Sequence, residues 1–135
     1  MRVVLDTNIY VSALALPGGA ADDAMHALLE GRCTALLSEP ILGEVLGVLG
    51  RKFARDSEEL ARVALFLSEL TERVTPRSRL SLLADEPDNR ILECAVAGRA
   101  DLVVTGDHAM LRLGAIEGIA IVSLRRFLVS LQDMQ

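Results

Sequence analysis

Hydrophobic positions along the chain follow two rhythms, short unbroken runs and longer stretches at helical spacing, and the two alternate. The first run, Val3-Val4-Leu5, stops at Asp6 with Thr7 and Asn8 behind it, the signature of a strand buried on both faces. Asn8 to Leu14 reads as a short helix, broken by a loop at Pro17-Gly18-Gly19. From Ala20 to Glu30 the residues Ala21, Met25, Leu28 and Leu29 recur at helical spacing, with Gly31 as the C-cap. Thr34 to Leu37 is a second strand, and Ser38 then caps a helix with Pro40 in its first turn.

That helix carries Ile41, Leu42, Val45, Leu46 and Leu49 as its core stripe, and Glu44 falls at the edge of the stripe. Gly43, Gly47 and Gly50 imply that something packs closely against it, and Arg51, Lys52 and Arg55 close it with positive charge. Ser57 to Arg73 reads as a helix capped by Ser57, with Leu60, Val63, Ala64, Leu67 and Leu70 on its apolar face. The stretch 73–83 is irregular, with a short strand near Val74, and the acidic turn 84–88 leads into a helix from Asn89 to Gly98. Leu102 to Thr105 repeats the form of the opening run, followed by Gly106 and Asp107. Asp107 opens a short helix through Leu113, Ile119 to Val122 is the last strand, and Ser123 caps a final helix to about Leu131. Strands alternating with helices predict an α/β fold whose sheet is mainly parallel and flanked by helices.

Composition narrows the class. With 135 residues, 51% hydrophobic residues and a mean hydropathy of +0.37, the chain is expected to form one globular domain. No apolar stretch reaches the roughly 18 uninterrupted residues of a membrane helix, and the N-terminus has no signal-peptide pattern, so a cytoplasmic protein is expected. Cys33 and Cys94 lie in apolar surroundings without metal-ligand spacing and read as reduced core residues. The net charge of −5 does not exclude a nucleic-acid partner, because an acidic pocket can coexist with a local basic patch.

The chemistry-bearing residues are carboxylates. Asp6, Glu44, Asp88 and Asp107 each stand at a strand end, a helix start or a stripe edge. Asp6 and Asp107 leave two buried strands at the same carboxyl edge of an open parallel sheet, and like charges brought together there raise a pKa or require a cation; Glu44 would look into a cleft margin and Asp88 shares the core-facing side of Ile91 and Leu92. Oxygen ligands of this type suit Mg2+ or Mn2+, which can activate water and steady a phosphoryl transition state. Each acid also has a plainer reading. Asp6 and Asp107 can cap the helices that follow their strands, Asp88 or Asp85 can serve a helix dipole, and Glu44 can be a solvated helix residue. His26 and His108 are too sparse for a zinc site.

Taken together, Val-Leu-Asp-Thr-Asn at 4–8, Ser38 with Glu44 six residues on, Asp85-x-x-Asp88-Asn89-x-Ile91-Leu92-Glu93-Cys94-Ala95, and Thr105-Gly106-Asp107 resemble the successive motifs of a PIN domain. The resemblance is strongest to the branch of toxin components of toxin–antitoxin systems, and it covers essentially the whole chain. It implies a PIN-like three-layer sandwich and a metal-dependent endoribonuclease that cleaves single-stranded RNA. Asp6, Glu44, Asp88 and Asp107 would hold Mg2+ or Mn2+, with Asn8 and Thr105 orienting those ligands. It further implies a homodimer or higher oligomer and a cognate antitoxin.

For phosphate contacts outside the pocket the basic residues Arg51, Lys52 and Arg55, with Arg77 and Arg79, are the candidates. With Tyr10 and three Phe as the whole aromatic complement, little base stacking is expected.

Two other acidic-pocket folds fit less well. A receiver module needs a lysine near a late strand, and the sole lysine is Lys52; a dehalogenase-type phosphatase needs a second Asp at position 8, which is Asn. The remaining alternative is a catalytically inactive PIN-like module for RNA binding or assembly.

Overall fold

β1 (Arg2–Leu5) runs through the middle of the sheet, and Val3, Val4 and Leu5 are at most 1% exposed. The computed structural model describes residues 1–134. From β1 the chain passes through α1 (Thr7–Ala15) and α2 (Ala20–Leu29) to β2 (Thr34–Leu37). It continues through α3 (Glu39–Lys52) and α4 (Ser57–Leu70) to β3 (Glu72–Arg73). A strap without helix or strand then leads to α5 (Glu86–Gly98) and β4 (Leu102–Val104). After α6 (His108–Leu113) come the hairpin partners β5 (Ala115–Ile116) and β6 (Ile119–Val122), and α7 (Leu124–Asp133) closes the fold.

The strand order is β3-β2-β1-β4-β6-β5, parallel throughout except for β5. Helices flank this sheet; α5 packs on β1, β2 and β4, while α1 packs on α2 and α3. The topology has one functional consequence. The chain leaves β1 toward β2 and β3 on one side and returns to β4 and β6 on the other, so strand order reverses between β1 and β4. In open α/β sheets the crevice at such a reversal is where ligands bind. The register pairs Leu5 with Val104, which sets Asp6 beside Thr105 at the carboxyl edge.

Several local expectations change. Asp56, not Ser57, caps α4: its carboxylate accepts the Glu59 N–H at 2.9 Å, and the helix stops at Leu70 so that Glu72 and Arg73 can pair with β2. Only Leu67 of its apolar face is fully buried. α5 begins three residues earlier than periodicity implies, because Asp85 caps it and Pro87 occupies its first turn. Of the α3 glycines only Gly50 has a neighbouring element against it, where an added Cβ would lie 3.5 Å from Leu60 Cδ1 of α4; a Cβ at Gly43 would meet nothing within 4 Å, and at Gly47 it would meet the flexible Arg51 side chain. Close approach occurs instead at Gly98, where an added Cβ would lie 2.6 Å from Leu36 Cδ1 and 3.0 Å from Val74 Cγ2. Cys33 and Cys94 are free and buried, and burial pushes the Cys94 thiol up to about 12.

Candidate functional site

At the strand reversal a cleft of about 120 Å³ is lined by Asp6, Asn8, Glu44, Asp85, Asp88 and Asp107, among others. All four sequence-predicted acids therefore face one space, and Asp85 joins them.

Asp6 and Asp107 have a double role that follows from their place after a strand. Asp6 caps α1 by accepting the Ile9 N–H at 3.2 Å through Oδ1, and Asp107 caps α6 by accepting the Met110 N–H at 2.9 Å. The capping role uses one oxygen of each carboxylate. The second oxygen of Asp6 accepts the Thr105 hydroxyl, and that same hydroxyl accepts the Asp107 N–H at 2.9 Å. Asp6 is 4% exposed. Burial raises its carboxyl above the ordinary carboxylate range, while bonds from Thr105 and the backbone N–H groups of Ile9, Asn8 and Gly106 offset part of that rise. Asn8 thus reaches Asp6 through its backbone, with its side chain exposed at the rim.

Asp88 is the least satisfied member. Its N–H is capped by Asp85 at 3.3 Å, but Oδ2 is buried with no hydrogen-bond partner. Burial, then the charges of Asp85, Asp107 and Asp6, push its carboxyl up to about 7. Glu44, in the second turn of α3, is half-buried on the opposite wall and is shared with a neighbouring groove that contains Arg79.

The donor set is all carboxylate oxygen, and a divalent cation is the partner that would relieve both the orphaned oxygen and the crowded charge. Among the described residues no three acidic or imidazole side chains stand together as a ready-made metal site. What speaks for an ion is the chemistry of the donors, carboxylate oxygens lining one cleft with Asp88 Oδ2 unpartnered, which is of the kind that hard divalent cations take. His26 and His108 are both exposed.

The basic candidates divide. Arg51, Lys52 and Arg55 line neither the acid cleft nor the grooves joined to it, and Arg55 is engaged with Glu59 and the Leu14 carbonyl, each at 3.4 Å. Arg77 and Arg79 do line those grooves. Periodicity has no means of showing this, because it depends on where an irregular segment is tied down.

The chain matches the PIN domain family over residues 2–109, a span that holds Asp6, Glu44, Asp88 and Asp107; it belongs to that family. PIN domains are nucleases and generally use divalent metals.

The chain is 26% identical over 117 residues to an uncharacterized protein of Methanocaldococcus jannaschii, covering 84% of this chain and 75% of the relative. Its fold is similar to VapBC2 from Rickettsia felis bound to a DNA fragment from its promoter, with a TM-score of 0.66 and 20% identity over 91% of this chain and 98% of the other. VapBC-1 from nontypeable Haemophilus influenzae gives the same TM-score at 16% identity, covering 93% and 99% of the two chains.

Proposed function

We propose that this PIN domain is a Mg2+- or Mn2+-dependent endoribonuclease of single-stranded RNA and the toxin half of a toxin–antitoxin pair. The observation that carries the reading is Asp88: a buried, unpartnered carboxylate oxygen among Asp6, Asp85 and Asp107 in a cleft at the strand reversal. A structural carboxylate would have its hydrogen bonds satisfied.

Asp6, Glu44, Asp88 and Asp107 would hold the ion, which when bound lowers the pKa of water and offsets charge on the scissile phosphate. The chain's own residues do the positioning. Thr105 fixes the free oxygen of Asp6 and the amide of Asp107 at once, so two ligands from different strands keep a constant relation. Asn8 at the rim is suited to orient a ligand or a ribose. Capping by Asp6, Asp85 and Asp107 holds each carboxylate in one rotamer against its helix, which limits reorganisation when charge develops.

The toxin assignment draws on the similarity to VapBC assemblies, which are toxin–antitoxin complexes. α4 exposes Leu65 and Phe66, apolar area of the kind that an antitoxin or a second copy would cover. No helix among the described residues is long and apolar enough to cross a membrane, and a cytoplasmic location is part of the proposal.

The test is cleavage of a labelled single-stranded RNA with Mn2+, Mg2+ or EDTA, wild type beside Asp6→Asn and Asp88→Asn. Metal-dependent cutting that both substitutions abolish is expected. No cutting by wild type, together with no metal binding in a titration, would overturn the nuclease reading in favour of the inactive RNA-binding or assembly module.

A further inference from the structure

The acid cleft does not end at Glu44. It shares Thr7, Glu44 and Pro87 with a groove of about 240 Å³ whose other residues include Arg79 and Arg90. That groove shares Pro40, Arg79 and Arg90 with a third, of about 290 Å³, under the strap. The third in turn shares Val74, Arg77 and Ser78 with the largest, about 750 Å³, which runs over the last turn of α5 to Gly98 and Arg99. One trough therefore leads from the acids along α5, about 15 Å from Asp88 to Gly98 at the helical rise per residue.

The trough carries acids as well as arginines: Glu44 near its mouth and exposed Glu117 at the Arg99 end make no ion pair among the described residues, and the arginines are of two kinds. Some arginines are already committed. Arg90 is paired with Glu86 at 3.2 Å and Glu93 at 3.0 Å, Arg73 with Glu39, and Arg2 with Glu72 at 2.7 Å. Arg77, Arg79 and Arg99 are exposed and make no ion pair or side-chain hydrogen bond among the described residues.

The strap that carries Arg77 and Arg79 is built in place. Between Val74 and Asp85 it has neither helix nor strand, yet three polar side chains of α5 grip its backbone. Glu93 Oε2 accepts the Leu80 N–H at 2.7 Å, and Arg90 Nη2 donates to the Leu80 carbonyl at 3.1 Å. Asn89 accepts the Leu83 N–H at 2.9 Å and donates to its carbonyl at 2.8 Å. Asn89 is 0% and Glu93 5% exposed. Burying Asn89 and Glu93 is costly unless they are hydrogen-bonded, and both are bonded to the strap, which fixes its course at Leu80 and Leu83; Arg90 Nε is buried without a partner.

We propose that this trough is the path of the RNA strand flanking the cut, with Arg79 beside Glu44 contacting the phosphate nearest the acids and Arg77 and Arg99 the phosphates farther along. The proposal rests on the ribonuclease reading and adds to it a direction along the surface. Net charge is −5 for the whole chain, so a local row of free guanidinium groups is what a polyanion would follow. No aromatic side chain lines the trough, which makes the contacts electrostatic and indifferent to base sequence.

The test is fluorescence anisotropy of a labelled single-stranded RNA in EDTA, where nothing is cut, across a salt series. Three proteins are compared: wild type, Arg77→Gln/Arg79→Gln, and Arg51→Gln/Lys52→Gln. All four residues are exposed, so the fold is unaffected, as circular dichroism would verify. The strap variant is expected to bind on the order of tenfold more weakly, with the log Kd against log salt slope reduced by about 1.4, the value for two phosphate contacts to a single strand; the α3 variant is expected to match wild type. Unchanged affinity and slope in the strap variant would overturn the path. So would a loss confined to the α3 variant. A wild type that binds along the strap but never cuts with any metal would instead sink the nuclease reading and leave the path standing. A wild type that binds no RNA would remove both.

Discussion

The Thr105 hydroxyl donates to Asp6 Oδ2, across the boundary between β4 and β1 where strand order reverses. It also accepts the Asp107 N–H at 2.9 Å, so one buried oxygen sets two of the acids. Thr105→Val keeps the shape and removes both bonds. The cost is about 1–3 kcal/mol of stability, since a buried carboxylate and an amide each lose a partner. Without the donor, the Asp6 carboxyl rises further, because burial is then less opposed. Metal-dependent cleavage is expected to fall roughly 10- to 100-fold, while Thr105→Ser retains most of it. Equal activity in the Val and Ser variants would show that the hydroxyl positions nothing.

Asp88 predicts an unusual pH dependence for the metal-free protein. Its carboxyl is pushed up to about 7 in the fold against about 3.9 in the unfolded chain. Between those values the folded state holds more protons, so this group's contribution to stability is complete below about pH 4 and is lost as pH rises through 7. Asp88→Asn removes that loss. The gain at pH 8 is about 1 kcal/mol, or roughly 3–5 °C in Tm, small because the carboxylate is part exposed and solvent screens it. Activity should vanish in the same variant, and wild-type Mn2+ affinity should weaken as pH falls below 7, where the ion competes with a proton. Calorimetry at pH 5 and 8 with and without EDTA checks the first claim. Equal wild-type and variant Tm at pH 8 would refute it.

Much of this was legible in the chain, for a reason visible at Leu5 and Val104. Both are the last residues of buried strands, so an apolar run ending in a carboxylate gives the strand, its burial and the edge at which Asp6 and Asp107 appear. Capping residues were readable for the same local reason at Ser38 and Ser123. At Asp56 and Asp85 the signal was present, but adjacent Ser57 and nearby Asp88 offered an equally good local choice. The two-residue β5 is too short to carry a period. The course of 74–85 was hidden more deeply, because it is specified by side chains of α5 that a helical wheel merely marks as polar.

The glycines separate what a helix wants from what its neighbours allow. Gly43 is exposed in the interior of α3, and a Cβ added there would meet nothing within 4 Å, so Gly43→Ala should stabilise by about 0.5–1 kcal/mol. Gly98→Ala makes the same chemical change near the end of α5, but drives a methyl into Leu36 and Val74. Both neighbours are buried, and overpacking there should cost about 1–3 kcal/mol. Urea unfolding of the two variants is expected to give shifts of opposite sign. A stabilising Gly98→Ala would mean that the core around β2 yields more readily than its packing implies.

The strap offers a test that does not depend on RNA. Arg77 and Arg79 are exposed trypsin sites in a segment without regular structure, ordinarily the first place a protease enters. Asn89 and Glu93 oppose this by holding Leu83 and Leu80 through their backbones. Asn89→Ala removes two bonds to Leu83 at once, and lowering the local opening free energy by even ~1.4 kcal/mol would multiply cleavage about tenfold where opening limits access. Trypsin is therefore expected to cut after Arg77 or Arg79 at least tenfold faster in Asn89→Ala, with helical circular dichroism retained. Arg77→Gln/Arg79→Gln in the same background should abolish those cuts and leave sites elsewhere unchanged. If the strap in Asn89→Ala resists trypsin as well as wild type does, its course is set by Leu80 and Leu83 packing on the core, and the buried polar grip of α5 is not what presents the two arginines.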